Sequence, residues 1–221
     1  KSFIDQEYGK IGWYTPEGTR LVLPEDFSID YLHIENTLRR TSFQPEVYNN
    51  TIYVFGGSTI FCAEVPDEYT VTSVLQKLIN DKYPNKYKVE NYGTTSVISA
   101  QELERLRTVS LKPGDIVIFY DGANDALQSI YNNDPEGYIL GKNYQIIQES
   151  GPFEKFMIKF NTKWGKYSKF VYYFLDPYDY INKPAHLSDK KHVDDLSYQM
   201  KEVYVRNISE AKTLSESQGA L

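Results

Sequence analysis

The feature that most constrains the fold is an alternation of strand and helix patterns between residues 52 and 120. Runs of β-branched and aromatic residues at 52–55, 87–93 and 116–120 alternate with segments of helical pattern at 71–79 and 99–106. Right-handed crossovers turn such an alternation into a parallel sheet with helices on its faces. We therefore predict an α/β domain.

Three local patterns give this prediction its detail. Apolar residues recur with helical spacing on one side of the first helix, namely Val71, Val74, Leu75, Leu78 and Ile79. Ser99 with Glu102 three residues later matches a capping box at the start of the second helix. The run IVIFY at 116–120 is uniformly apolar, which predicts a strand buried on both faces.

Composition limits the kinds of partner that the chain can bind. The net charge is −6, and Lys and Arg do not cluster, so no nucleic-acid partner is expected. The longest apolar runs fall far short of the ~20 residues that span a bilayer, so no membrane span is expected. Cys62 is the chain's only cysteine, which excludes an internal disulfide and favours a small buried side chain. The oligomeric state is left open.

The chain divides by pattern into a lead-in and one domain. Residues 1–50 are rich in turn residues and predict an irregular lead-in with short extended pieces. Residues 51–221 form the predicted domain, with a Tyr-rich insertion at about 126–190 that contains one or two helices. A long amphipathic helix from about Val193 ends at Gly219 as its cap. Ala220 and Leu221 then resemble the start of another strand, so the fold is expected to be truncated at the C-terminus.

Glycine, hydroxyl and amide groups follow each predicted strand, in the loops GGST (56–59), GTTS (93–96) and DGAND (121–125). Carboxyl ends of parallel strands meet at one sheet edge, where such folds bind ligands. Ser58 follows two glycines that permit a tight turn, which suits a nucleophile. The Gly93 N–H and the Asn124 amide are candidate donors to an oxyanion.

The order of these three blocks resembles the SGNH/GDSL hydrolases, over residues 52–125. The segments VFGGST, VENYGTTS and VIFYDGANDA carry the resemblance, most closely to members with GGST that are associated with bacterial surface polysaccharide. The resemblance implies a three-layer α/β/α, flavodoxin-like fold. It also implies an extracytoplasmic or cell-envelope location.

The activity implied is that of a serine esterase or O-acyltransferase on a small-molecule or glycan ester, for example in carbohydrate deacetylation. In this reading Ser58 forms an acyl-enzyme, and its own N–H, the Gly93 N–H and Asn124 hold the oxyanion. No metal or organic cofactor is implied.

The resemblance leaves the general base open between two alternatives. Asp189 and His192 spell the Asp-x-x-His pattern of the family's base. In the family, however, this block follows a further strand, whereas His192 precedes a long helix. We therefore expect the base beyond Leu221, with His192 as the alternative. His33 and His186 are expected to be surface residues or hydrogen-bonded core residues.

Three other functions are compatible with parts of the pattern. A non-catalytic carbohydrate-binding or scaffold module would keep the fold without a base. A phosphate site is disfavoured because no Lys follows GGST as it does in a P-loop. Asp121 and Asp125 are an alternative site for Mg²⁺, although neighbouring carboxylates at a turn are usually solvated.

Overall fold

A computed structural model describes residues 23, 26–137 and 189–221 of the chain. These residues fall into two compact units. The first contains the described residues up to Asp125 together with Glu202–Leu221, and the second lies within Ala126–Lys201. The candidate loops after the three predicted strands, as far as Asp125, belong to the first unit. The Tyr-rich segment and His186 lie largely or wholly outside the described residues.

Six strands form one sheet in the described part of the chain. They are β1 (Asp26–Ile29), β2 (Leu32–Glu35), β3 (Leu38–Arg39), β4 (Asn50–Gly56), β5 (Tyr87–Asn91) and β6 (Ile116–Tyr120). Their spatial order is β1-β2-β3-β5-β4-β6. β4 pairs in parallel with both β5 and β6, whereas β1, β2 and β3 are antiparallel and join the sheet at the Arg39–Asn91 pair.

Five α-helices and one 3₁₀ turn are described. They are α1 (Ser58–Phe61), the 3₁₀ turn (Asp67–Tyr69), α2 (Val71–Lys82), α3 (Ser99–Leu106), α4 (Ala123–Asn132) and α5 (Lys190–Ser217). None of the described helices is long and apolar enough to cross a membrane.

Alternate residues of the central strands face two separate hydrophobic clusters. Tyr53 and Phe55 of β4 pack in one cluster with Leu103 of α3 and Ala211 of α5. Ile52 and Val54 lie in the other, with Ile60 of α1 and partly buried residues of α2. Because successive side chains of a strand point to opposite faces, both faces of the sheet are covered. The predicted three-layer α/β/α arrangement is confirmed.

The parallel strands have the flavodoxin-like order. Taken in chain order, β4, β5 and β6 are the first, second and third parallel strands, and they lie as second-first-third. Folds with this order bind ligands between the first and third strands, where the connections diverge. In this chain that point lies between the ends of β4 and β6, which carry Ser58 and Asn124.

The predicted lead-in contains three short strands. β1, β2 and β3 lie within residues 1–50 and extend the sheet beyond β5. Each strand is at most four residues long, which is too short for an alternation of apolar and polar residues to predict it. The pairing of β3 with β5 is a tertiary contact between segments far apart in the chain.

The prediction of a helix at 71–79 is confirmed, but its apolar side is only partly buried: Leu75 and Ile79 pack against the core, and the other three apolar residues are exposed. Val71, Val74 and Leu78 are 46%, 45% and 61% exposed. Thr72, Ser73 and Gln76 are buried instead. The buried face bonds to polar groups: the Gln76 side chain accepts from Val89 N–H at 2.6 Å and donates to Tyr87 O at 3.0 Å. Hydrogen bonding to β5 therefore outweighs hydrophobic periodicity in orienting this helix.

The predicted capping box at Ser99 is wrong. Ile98 is the N-cap of α3, and its N–H donates to the side chain of Gln101 at 3.2 Å. Ser99 is the first helical residue, and its hydroxyl donates to Asp125 at 2.5 Å. Glu102 is 1% exposed and does not reach back to the cap. A tertiary partner for Ser99 has displaced the local motif.

The strand β6 is less buried than its apolar run predicted. Residues 116–119 are half-buried, and Tyr120 is 62% exposed. β6 pairs with β4 on one side and is the last strand in the order of the described sheet. An edge strand keeps part of its side-chain surface open even when both faces carry helices.

The end of α5 matches the predicted cap. Gly219 has φ +80°. The N–H of Ala220 donates to Ser215 O and that of Gly219 to Glu216 O, both at 3.0 Å, which is the Schellman pattern. Leu221 then bonds through its backbone to Asp115 O at 2.9 Å and to Val117 N–H at 2.8 Å. This is the pattern of a parallel pairing with β6.

Candidate functional site

Ser58 lies at the turn where β4 ends and α1 begins, and it is exposed to solvent. Gly57 is the N-cap of α1 in an extended conformation, with φ −77° and ψ −152°. The turn is tight because a Cβ on Gly56 would lie 2.4 Å from Ile60 Cγ1 and 2.7 Å from Tyr120 O. The glycines thus let the chain pass close to the end of β6 and leave the hydroxyl-bearing residue at the surface.

Asn124 lies against this turn. A Cβ atom built on Gly57 would lie 2.5 Å from Nδ2 of Asn124. The same nitrogen donates to Val97 O at 2.8 Å, which fixes the amide and uses one of its two N–H groups. The structure therefore brings the first and third predicted loops into contact beside Ser58.

Gly93 lies against the backbone of α1. A Cβ there would lie 2.4 Å from Phe61 N and 2.7 Å from Ile60 C. The residues on either side of Gly93 bond to β4: Tyr92 N–H donates to Val54 O at 2.8 Å and Thr94 N–H to Gly56 O at 3.0 Å. The N–H of Gly93 itself donates to Oδ1 of Asn91 at 2.8 Å. All three loops thus meet at one sheet edge, and in this structure the Gly93 donor is occupied.

Asn91 is a residue of this edge that the sequence analysis did not identify. It is 1% exposed. Its Nδ2 donates to Ile60 O at 2.8 Å and to Thr72 Oγ1 at 3.1 Å, so one amide joins α1, α2 and the Gly93 loop. A signal was present, because an Asn inside an otherwise strand-like run is unfavourable unless its side chain has buried partners.

A buried polar cluster anchors the third loop from below. Asp121 Oδ1 accepts from Tyr204 O–H at 2.6 Å. Asp125 accepts from the N–H and the hydroxyl of Ser99, and Ser99 Oγ in turn accepts from Asn207 Nδ2 at 3.0 Å. Burial raises the pKa of Asp125, against the lowering effect of these bonds from Ser99. One oxygen of Asp121 and the carboxylate of Asp125 are therefore engaged by protein donors, and no group of potential metal ligands occurs among the described residues.

The described histidines have defined partners. His33 Nδ1 lies 2.5 Å from Asp67 Oδ2, and Arg39 pairs with the same carboxylate, which confirms His33 as a hydrogen-bonded structural residue. In the second unit, Asp189 accepts from the backbone N–H of His192 at 3.2 Å. His192 Nε2 lies 2.5 Å from Asn133 Oδ1. The Asp189 carboxylate thus caps a helix start in this structure.

Cys62 differs from its predicted role. It is half-buried, and it ends α1 in the left-handed conformation with φ 52°. Its Sγ lies 2.7 Å from Thr59 O. The residue caps a short helix at the surface rather than filling the core.

Comparison with known proteins gives a partial structural likeness. No family model and no curated protein matches the chain. The esterase AlinE4, described as a SGNH-hydrolase family esterase, is 17% identical with a TM-score of 0.32, over 46% of this chain and 55% of that one. Two AlinE4 mutants give the same TM-score, with 18% and 17% identity over 45% of this chain and 53% of theirs. The chain thus matches about half the length of these esterases.

Proposed function

We propose that the first unit is the acyl-binding part of an SGNH-type serine esterase or O-acyltransferase, with Ser58 as the nucleophile. The observation that carries the proposal is the contact between the Gly57–Ser58 turn and the Asn124 amide. This contact lies at the ends of β4 and β6, the place where folds of this order bind ligands. An exposed hydroxyl and a fixed amide donor at that place suit acyl transfer.

The reaction follows from these groups. Ser58 Oγ attacks the acyl carbonyl while a general base takes the hydroxyl proton. The carbonyl oxygen becomes an oxyanion, which the Ser58 N–H and the second N–H of Asn124 Nδ2 stabilise. The C–O bond to the leaving alcohol then breaks, and the alcohol takes a proton from the protonated base. Water or a sugar hydroxyl attacks the acyl-Ser58 ester to release the acid or the transferred acyl product.

Gly93 has a conditional role in this proposal. Its N–H is the third oxyanion donor only when Asn91 Oδ1 shares or releases it, since the two now bond at 2.8 Å. Substrate binding would then replace the Asn91 Oδ1 acceptor with the oxyanion, which carries more negative charge. That the substrate is a carbohydrate ester is the most specific part of the proposal, and it rests on the GGST motif alone.

A fluorophosphonate probe tests the nucleophile directly, because it traps an activated serine without the natural substrate. We expect the probe to label Ser58 and the Ser58→Ala variant to lose the label. Ser209→Ala is the matched control, since Ser209 is an exposed serine on α5 of the same unit and should not change labelling. Tandem mass spectrometry identifies the labelled residue.

Two outcomes would count against the proposal. Label on a serine other than Ser58, or none on the folded protein, would remove Ser58 as nucleophile. Glycan binding that persists in Ser58→Ala, together with a wild type that does not turn over acetylated sugars, would instead select a non-catalytic carbohydrate-binding module. An aryl acetate assay and a deacetylation assay on an acetylated oligosaccharide would separate general esterase activity from activity on carbohydrate.

A further inference from the structure

The polar cluster beneath the third loop contains more carboxylate oxygens than its hydrogen-bond donors can pair. Both oxygens of Glu102 and Oδ2 of Asp121 are buried and accept no hydrogen bond from any of the described residues. Glu102 is 1% exposed and lies within hydrogen-bonding reach of Asp121. Two ionised carboxylates are both acceptors, so they cannot bond to each other unless one carries a proton.

We propose that Glu102 and Asp121 share one proton in the folded protein, and that this carboxyl pair positions the turn that carries Asn124. The proton would sit between an oxygen of Glu102 and Oδ2 of Asp121. It pairs two of the three orphaned oxygens and leaves the second oxygen of Glu102 without a donor. Asp121 Oδ1 meanwhile accepts from Tyr204, so the turn is fixed from α3 and from α5.

The charges around the pair favour a proton over a second negative charge. Asp125 at the start of α4 adds another carboxyl group. Arg105 is the facing cation, but its guanidinium donates to Tyr92 O at 3.0 Å, Thr94 Oγ1 at 2.9 Å and Thr37 O at 2.8 Å. Burial, and then Asp121 and Asp125, raise the pKa of Glu102 well above its usual value.

Tyr204 of α5 is the remaining titratable group that faces the pair. Burial raises the pKa of its phenol, and Asp121 raises it further, so Tyr204 stays neutral and keeps donating. No described group faces the pair as an unengaged cation that would replace the proton. These four elements, α3, the loop after β6, α4 and α5, therefore enclose the proton in a polar cluster.

The test uses Glu102→Gln, because an amide has nearly the shape of a protonated carboxyl and keeps a donor toward Asp121. A folded-state pKa above the unfolded value makes stability present at low pH and lost as pH rises through the folded pKa. The pH range concerned lies between the unfolded-state pKa, near the ordinary Glu value of 4.5, and the raised folded-state pKa of Glu102. In this range each pH unit should increase the unfolding equilibrium constant of the wild type by about tenfold more than that of Glu102→Gln. Denaturant unfolding at a series of pH values measures this difference.

Infrared spectroscopy provides a readout that a purely structural role would not move. The wild type at neutral pH should show the carbonyl band of a protonated carboxylic acid, and Glu102→Gln should lack it. Glu104→Gln is the matched control: Glu104 lies on the same helix with its side chain 54% exposed, so both the band and the pH profile should stay as in wild type.

A second variant keeps the test decisive if Glu102→Gln does not fold. Asp121→Asn supplies an amide donor to Glu102, so it should ionise Glu102 and remove the same band. A wild type without the acid band, or equal pH profiles for wild type and Glu102→Gln, would overturn the shared proton.

The positioning of Asn124 rests on the proposed function and is tested separately. The wild type should lose esterase activity as pH rises through the raised pKa of Glu102, and Glu102→Gln should keep it. Equal alkaline loss in both proteins would overturn the positioning role. The unfolding and infrared measurements need no catalysis, so a protein that shows the acid band without any esterase activity would refute the proposed function and retain the carboxyl pair.

Discussion

The backbone N–H of Gly93 donates to Oδ1 of Asn91 at 2.8 Å, and this bond connects the candidate site to the core. Through Nδ2 the same Asn91 side chain holds Ile60 O and Thr72 Oγ1. One buried amide therefore sets the distance between the Ser58 helix and the Gly93 loop. The Gly93 loop is held by core bonds before any substrate is bound.

Replacing Asn91 should destabilise the protein more than an ordinary surface substitution. Asn91→Ala removes the donor to Ile60 O and the acceptor of the Gly93 N–H, and each group left unpaired costs about 1–3 kcal/mol. Asn91→Asp keeps the acceptor for Gly93 but not the amide donors, so it should also destabilise. Denaturant unfolding measures the free energies. A change below about 0.5 kcal/mol, typical of surface sites, would show that this network is not structural.

Alanine at two glycines of the site should have opposite kinds of effect. In Gly57→Ala the new Cβ would meet a side-chain nitrogen, Asn124 Nδ2, at 2.5 Å. The amide must move, so we expect esterase activity to fall by roughly 10²–10³-fold, the usual effect of losing an oxyanion donor, with little loss of stability. In Gly93→Ala the Cβ would meet backbone atoms of α1, which cannot rotate away.

For Gly93→Ala the expected cost is about 1–3 kcal/mol in the free energy of unfolding, as for other overpacked sites. Paired measurements of kcat/KM and denaturant midpoint on the two variants separate the effects. A Gly57→Ala variant with the esterase activity of the wild type would show that the Gly57–Asn124 contact does not matter for the proposed reaction.

His192→Asn should leave probe labelling of Ser58 within about threefold of wild type, a change of under 1 kcal/mol. In a catalytic triad the carboxylate holds the imidazole ring, whereas Asp189 accepts from the His192 backbone N–H and the ring Nε2 lies beside Asn133. The rate of labelling with a fluorophosphonate checks this prediction. A loss of about 10³-fold or more would instead make His192 the base.

The two sides of α2 should respond to substitution in the reverse of what periodicity suggests. Leu78→Lys should change the free energy of unfolding by no more than about 0.5 kcal/mol, because Leu78 is 61% exposed. Gln76→Leu should cost about 1–3 kcal/mol for each β5 backbone group left without a partner. Thermal or denaturant unfolding of both variants measures the two changes in the free energy of unfolding. A more stable Gln76→Leu protein would contradict the hydrogen-bonding account.

Local pattern was sufficient for the elements whose signal lies within a few neighbouring residues. The strand at 116–120, the helix at 71–79 and the Gly219 cap occur where the sequence predicted them. The shared sheet edge of the three loops also followed, because a strand-helix alternation permits few topologies. Orientation was harder: Val74 and Ser73 exchange their expected sides because the Ser73 hydroxyl bonds to Asp67 O and to the Ser42 N–H, which periodicity does not record.

The sequence by itself determined that three loops with glycine, hydroxyl and amide groups would end parallel strands of one α/β sheet, since element type and chain order depend on local pattern and on the handedness of crossovers. Only the tertiary structure decided which of those groups touch: that Asn124 lies against Gly57, that Asn91 occupies the Gly93 N–H, and that Ser99 and Glu102 face buried carboxylates instead of forming a cap. Apart from the Asn91–Gly93 bond, these contacts join residues far apart in the chain. Their partners are set by packing and by the need to satisfy buried polar groups, which no local pattern encodes.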